Sequence, residues 1–198
     1  MRRSGYAFAA AFTATVTVTS VAAAVGPGGW DHVGHGSTST TASLNGNVTA
    51  LNTDNPPVLY VGGNFTNAGG HADADRIAKW SGTAWSAIGS IPLSNGQVFA
   101  IAYHAGKVYV GGTFLNAGGD ANADFLAVWN PSTSTWSSPC TSTKPGAAFT
   151  ANVAALQIVG DTLYVGGAFQ NGAGIEAADY LVGCDLTTGA ATSTVASD

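Results

Sequence analysis

The chain has 198 residues, of which 9% are charged, and a formal net charge of −5 at pH 7. So sparse and acidic a charge set excludes a nucleic-acid-binding surface. A hydrophobic content of 45% excludes a solvated disordered chain.

Met1-Arg2-Arg3 opens the sequence and an uncharged apolar stretch from Tyr6 to Val25 follows, with small residues at Ala22, Ala23 and Ala24. This is the pattern of a secretory signal peptide over residues 1–24, and export to the extracellular space or cell surface is expected. The part beyond residue 24 keeps only Arg76, Lys79, Lys107 and Lys144 as basic residues against the 11 acidic ones, a formal charge near −7. No second hydrophobic span follows, so no membrane span is expected in the mature chain, residues 25–198.

Within those residues the pattern Tyr-Val-Gly-Gly-x-Phe occurs at Tyr60–Phe65, Tyr109–Phe114 and Tyr164–Phe169. Each copy is preceded by a Val-x-Ala-aliphatic segment (Val48–Leu51, Val98–Ile101, Val153–Leu156) and followed by a small-residue loop closed by Asp75, Asp124 or Asp179. After the aspartate, Arg76–Trp80 and Phe125–Trp129 alternate as strands do. A short turn then leads to a fourth segment beginning at Trp85 or Trp136. Alternation, aromatic and β-branched enrichment and Gly, Asn and Pro punctuation predict strands throughout.

Four short strands recurring every 49 to 55 residues predict an all-β fold of β-propeller-type blades, with three repeats at about 46–93, 96–143 and 151–198. The third unit has a weak fourth segment, Ala191–Val195. The paired glycines Gly62-Gly63, Gly111-Gly112 and Gly166-Gly167 mark places where φ turns positive or where another part of the chain comes close.

The run Asp124-Phe125-Leu126-Ala127-Val128-Trp129-Asn130-Pro131-Ser132-Thr133-Ser134-Thr135-Trp136, with the glycine pair before it, resembles the second half of a kelch repeat, a unit also found in galactose-oxidase-like propellers. The three copies are similar to repeats of secreted cell-surface proteins that carry Tyr-Val-Gly-Gly-x-Phe. The likeness covers roughly residues 28–198 and weakens in the third unit, where Cys184 takes the position of Trp80 and Trp129. It implies a propeller and a secreted or surface setting. It implies no activity, because such propellers serve as oxidases, lyases and binding proteins alike.

Closed propellers use four to eight blades, so three units imply a truncated member of a longer propeller, an open stack, or closure as a homo-oligomer. Truncation is the favoured expectation. Residues 28–36, including Trp30, resemble an outer strand with no partners of its own, an orphan that would complete a blade in a closed ring.

Asp120, Asn122 and Asp124 alternate oxygen-bearing side chains as the opening half of a calcium loop does, but the sixth-position glycine and twelfth-position glutamate are missing. The simpler reading has Asp75, Asp124 and Asp179 accept backbone N–H bonds in the turn, since a scaffold role repeats in every blade and a metal site need not. His32, His35, His71 and His104 give only a weak metal signal, and no cofactor is expected beyond the calcium candidate. Trp80, Trp85, Trp129 and Trp136 fit core packing better than a sugar platform, because they recur once per blade.

Cys140 and Cys184 lie in adjacent units and would meet an oxidising compartment. They either pair or remain two small buried residues. No catalytic constellation stands out. The sequence therefore reads as a secreted or cell-surface, non-enzymatic propeller module that binds an extracellular protein or glycan, with Ser137–Ala148 among the expected contact loops. The alternative is a secreted propeller-type enzyme, an oxidase, lyase or hydrolase acting on glycans.

Overall fold

The structure is a computed structural model that describes residues 33, 43–89, 93, 95–144, 148–176 and 178–193. All of these belong to one unit running from His32 to Asp198. The signal-peptide expectation at 1–24 and the orphan strand at 28–36, save Val33 in a turn, lie outside the described residues, as do 194–198.

The fold is all-β: three four-stranded antiparallel sheets, each built from consecutive strands, in an open propeller-type array. Blade 1 holds β1 (Val48–Asn52), β2 (Leu59–Gly63), β3 (Ile77–Trp80) and β4 (Trp85–Ala87). Blade 2 holds β5 (Val98–His104), β6 (Lys107–Gly112), β7 (Leu126–Asn130) and β8 (Thr135–Ser137). Blade 3 holds β9 (Val153–Val159), β10 (Thr162–Gly167), β11 (Leu181–Asp185) and β12 (Ala191–Ser193). The first strands are neighbours, β1 beside β5 and β5 beside β9. The Thr49 hydroxyl donates to the Val98 carbonyl across the first of these seams.

Each first strand carries a β-bulge at the same place, so that Val48 pairs with Gly63, Val98 with Gly112 and Val153 with Gly167. The extra residue turns Val98 and Ile101 to one face, where both meet Gly62 of blade 1. Gly62 and Gly111, the first of their pairs, face the next blade, and the second glycine of all three pairs faces its own first strand. A Cβ at Gly62 would run into the Val98 side chain, and one at Gly111 would lie 2.5 Å from Val153 Cγ1. At Gly63, Gly112 and Gly167 it would collide with the carbonyl oxygens of Asn47, Gln97 and Asn152. Close approach, with no positive φ, is what Gly62, Gly63, Gly111, Gly112 and Gly167 share, whereas a Cβ at Gly166 would meet Ala155 Cβ only at 3.7 Å.

Hydrophobic packing follows the seams. Tyr60, Ile77 and Ile88 of blade 1 are buried with Val98, Ile101, Val108 and Val110 of blade 2. Tyr109, Leu126 and Val128 are buried with Leu163, Val165 and Val182 of blade 3. Leu93 and Phe149, on the segments that approach β5 and β9, join these same clusters.

The small-residue loops contain a one-turn 3-10 helix, at Ala68–Gly70, Ala117–Gly119 and Gly172–Gly174. Its second residue has a left-handed backbone and lies against the fourth-strand tryptophan. A Cβ there would sit 2.6 Å from Trp85 Cβ at Gly69 and 2.6 Å from Trp136 Cδ1 at Gly118. Blade 3 has no such tryptophan, and its equivalent residue is Ala173, fully buried.

In place of the tryptophan, the segment after β8 straps the outer side of blade 3. Cys140 and Cys184 form a disulfide with Cα atoms 5.7 Å apart. The Thr141 N–H donates to Gly189 O at 2.8 Å and the Thr143 N–H to Ala173 O at 2.9 Å. The described part of the expected contact loop Ser137–Ala148 is thus held in place by backbone bonds.

The residue after each loop aspartate is also left-handed, with φ of 64° at Arg76, 61° at Phe125 and 65° at Tyr180. Its N–H donates to the carbonyl of Phe65, Phe114 or Phe169. Its own carbonyl accepts from Gly63, Gly112 or Gly167.

Candidate functional site

Three loop aspartates occupy one repeated geometry. Asp75 Oδ1 accepts the Asn67 N–H at 2.8 Å, Asp124 Oδ1 the Asn116 N–H at 2.6 Å and Asp179 Oδ1 the Asn171 N–H at 2.8 Å. Each of those asparagines has a left-handed backbone, φ 51° to 53°, immediately before the 3-10 turn, so the carboxylate fixes the turn's entry. Asp120 Oδ1 accepts the Asn122 N–H at 2.9 Å and its Nδ2 at 3.3 Å. Both carboxylates of the calcium candidate Asp120, Asn122, Asp124 thus bind their own turn.

Asp124→Ala is expected to destabilise the protein by about 1.5 kcal/mol, the typical loss for a hydrogen bond to a charged group. Asp124→Asn, which keeps the acceptor, should recover most of this, with chemical denaturation as the measurement. Among the described residues no group of three or more His, Cys, Asp or Glu is placed to hold a metal ion.

Trp85 and Trp136 are buried. Trp80 and Trp129 are half-buried beside them, with ring centroids 5.4 Å and 5.5 Å apart within each blade. Trp129 and Trp136 also close over Gly89 of blade 1. On Asp185, the backbone N–H groups of Thr188 and Thr187 hold the carboxyl below the usual carboxylate range, which fixes the turn leading to β12. Burial pushes the Tyr109 phenol up, as suits a core residue.

One concave feature draws on every blade. A groove of about 360 Å³ lies where β1, β5 and β9 end, lined by Asn52 and Asp54 from blade 1, Tyr103 and His104 from blade 2, and Gln157 and Gly160 from blade 3. Ile101, Ala102, Leu156 and Ile158 complete the lining, whose exposed surface is mainly polar. Asn52 Nδ2 donates to Asp54 Oδ2 at 2.7 Å, which orients the carboxylate at one wall. His104 Nε2 lies 2.9 Å from Asp161 Oδ1, bridging blades 2 and 3 at the other wall. Tyr103 stacks on Tyr60 of blade 1, centroids 5.9 Å apart and planes 20° apart, so its ring is held in place.

The groove offers the amide groups of Asn52 and Gln157, the Asp54 carboxylate, the His104 imidazole and the Tyr103 ring. That set suits a ligand bearing many hydroxyl groups. Among the described residues, no Ser, Thr or Cys lines the groove beside His104.

Sequence reading missed this groove, although His104 entered it as a weak metal candidate. Asn52, His104 and Gln157 belong to no shared motif, and only the packing of β1, β5 and β9 brings them together.

No family model matches the chain, and no curated protein matches it. Among solved structures, the chain is similar to the computationally designed Ika4 protein, at 17% identity over 75% of this chain and 71% of that one, with a TM-score of 0.41.

Proposed function

We propose that the protein is a secreted or cell-surface, non-enzymatic β-propeller module of the kelch-like kind that binds an extracellular ligand, a glycan in preference to a protein. The observation that carries this reading is the polar groove to which all three blades contribute. Neutral amide groups beside the Asp54 carboxylate favour sugar hydroxyls over an anionic ligand. The signal-like N-terminus and the disulfide support an oxidising, extracellular setting.

Titration of the full chain with a panel of neutral oligosaccharides, followed by calorimetry, tests the proposal. Asn52→Ala and Gln157→Ala together should weaken binding by about tenfold or more, the loss of two hydrogen bonds of ordinary strength. Affinity that ignores both substitutions would place the ligand elsewhere. Conversion of the oligosaccharide to new products would favour an enzyme instead.

A further inference from the structure

The seams inside the chain define what a blade needs on each side. On the leading face of blades 2 and 3, Val98 and Val153 are fully buried, each filling the space left by a glycine, Gly62 or Gly111, of the preceding blade. On the trailing face of blades 1 and 2, Tyr60, Tyr109, Ile77 and Leu126 are buried beneath the next blade.

The two outermost faces carry the same residue types, exposed among the described residues. Val48, the blade 1 counterpart of Val98, is 42% exposed, and Leu51, the counterpart of Ile101, is 62% exposed. On blade 3, Tyr164 is 36% and Leu181 44% exposed, and the nearest atom to a Cβ on Gly166 is Ala155 Cβ at 3.7 Å. The notch that Val98 and Val153 fill elsewhere is open at Gly166, while an unused valine stands at Val48. Neither face is guarded by a charged side chain at these positions, the device by which exposed sheets ordinarily avoid association.

We propose that blade 1 of a second copy of this chain docks head-to-tail on the trailing face of blade 3, with Val48 in the Gly166 notch and Leu51 between Tyr164 and Leu181. The contact repeats the seam that each chain already makes twice. It is heterologous, so it either closes or propagates. Two copies give six blades, within the four to eight of closed propellers, whereas three copies would give nine. The assembly is therefore a closed pair with two identical seams.

Light scattering after size-exclusion chromatography of the full chain tests this, together with Gly166→Val and Leu51→Glu. Gly166→Val fills the notch in open space, and Leu51→Glu puts a charge on the complementary face. The wild type should elute at twice the mass of a single chain. Each variant should elute at half the wild-type mass, with unchanged far-ultraviolet circular dichroism. Sensitivity to Leu51→Glu separates the head-to-tail seam from a symmetric blade 3 to blade 3 contact, which would ignore it. A wild type of one chain mass, a ladder of higher masses, or a pair that survives both substitutions would overturn the proposal.

Discussion

Gly111→Ala should destabilise the protein by about 2–3 kcal/mol, whereas Gly166→Ala, at the equivalent position one blade later, should cost less than about 0.5 kcal/mol. Both glycines sit in the same strand position, both have ordinary φ, and both are followed by a second glycine, so propensity and backbone conformation cancel in the comparison. What differs is the neighbour. The added methyl at Gly111 falls 2.5 Å from Val153 Cγ1 and 3.2 Å from Val153 Cβ, inside a seam where Val153 is fully buried. Relief requires moving β9 away from β6, which opens the packing of Tyr109 and Leu126 as well. At Gly166 the methyl meets only Ala155 at 3.7 Å. The comparison is best made in the Leu51→Glu background, where no second chain fills the notch, by urea denaturation. Equal losses at the two positions would mean that the seam between blades 2 and 3 yields more easily than its burial implies.

The second large effect is expected at the disulfide. Cys140 and Cys184 are 44 residues apart in sequence, and closing a loop of that length restricts the unfolded chain by up to about 4 kcal/mol on the loop-entropy account. The double substitution Cys140→Ala with Cys184→Ala should therefore lose about 2–4 kcal/mol. The site suits the larger figure, since both cysteines are buried in the cluster that joins blades 2 and 3 and the strap carrying Cys140 replaces a fourth-strand tryptophan. Thermal unfolding with and without a thiol reductant is the measurement. Reductant should lower the midpoint of the wild type to that of the double variant and leave the variant unmoved.

Much of the fold was legible because the determinants of a blade are local and recur. Alternation in Val108–Phe114, the turn chemistry of Asn130-Pro131-Ser132 and the spacing of the three Tyr-Val-Gly-Gly copies each follow from the residues of one unit. What spacing did not convey was contact between units. The glycine pairs announced a close approach without saying that Val98 and Val153 are the residues approaching. Ala173, where the other two units have a glycine, marks the place where no tryptophan lies beneath the turn. The groove was least legible of all, since Asn52, His104 and Gln157 belong to different blades and become neighbours only through the seams.

Arg76, Phe125 and Tyr180 share a left-handed backbone held at both its N–H and its carbonyl by main-chain partners. The conformation is thus imposed from outside the residue, and the strain that a bulky side chain brings to it is absorbed by the unit. Arginine there reaches back to the carbonyls of Asn64 and Phe65, phenylalanine joins the core, and tyrosine projects toward solvent. A slot that accepts three unrelated side chains on one frame separates what the architecture must inherit from what is free to diverge. For protein engineering it is a grafting point: one address per blade at which a chosen side chain can be displayed without redesigning the frame that holds it.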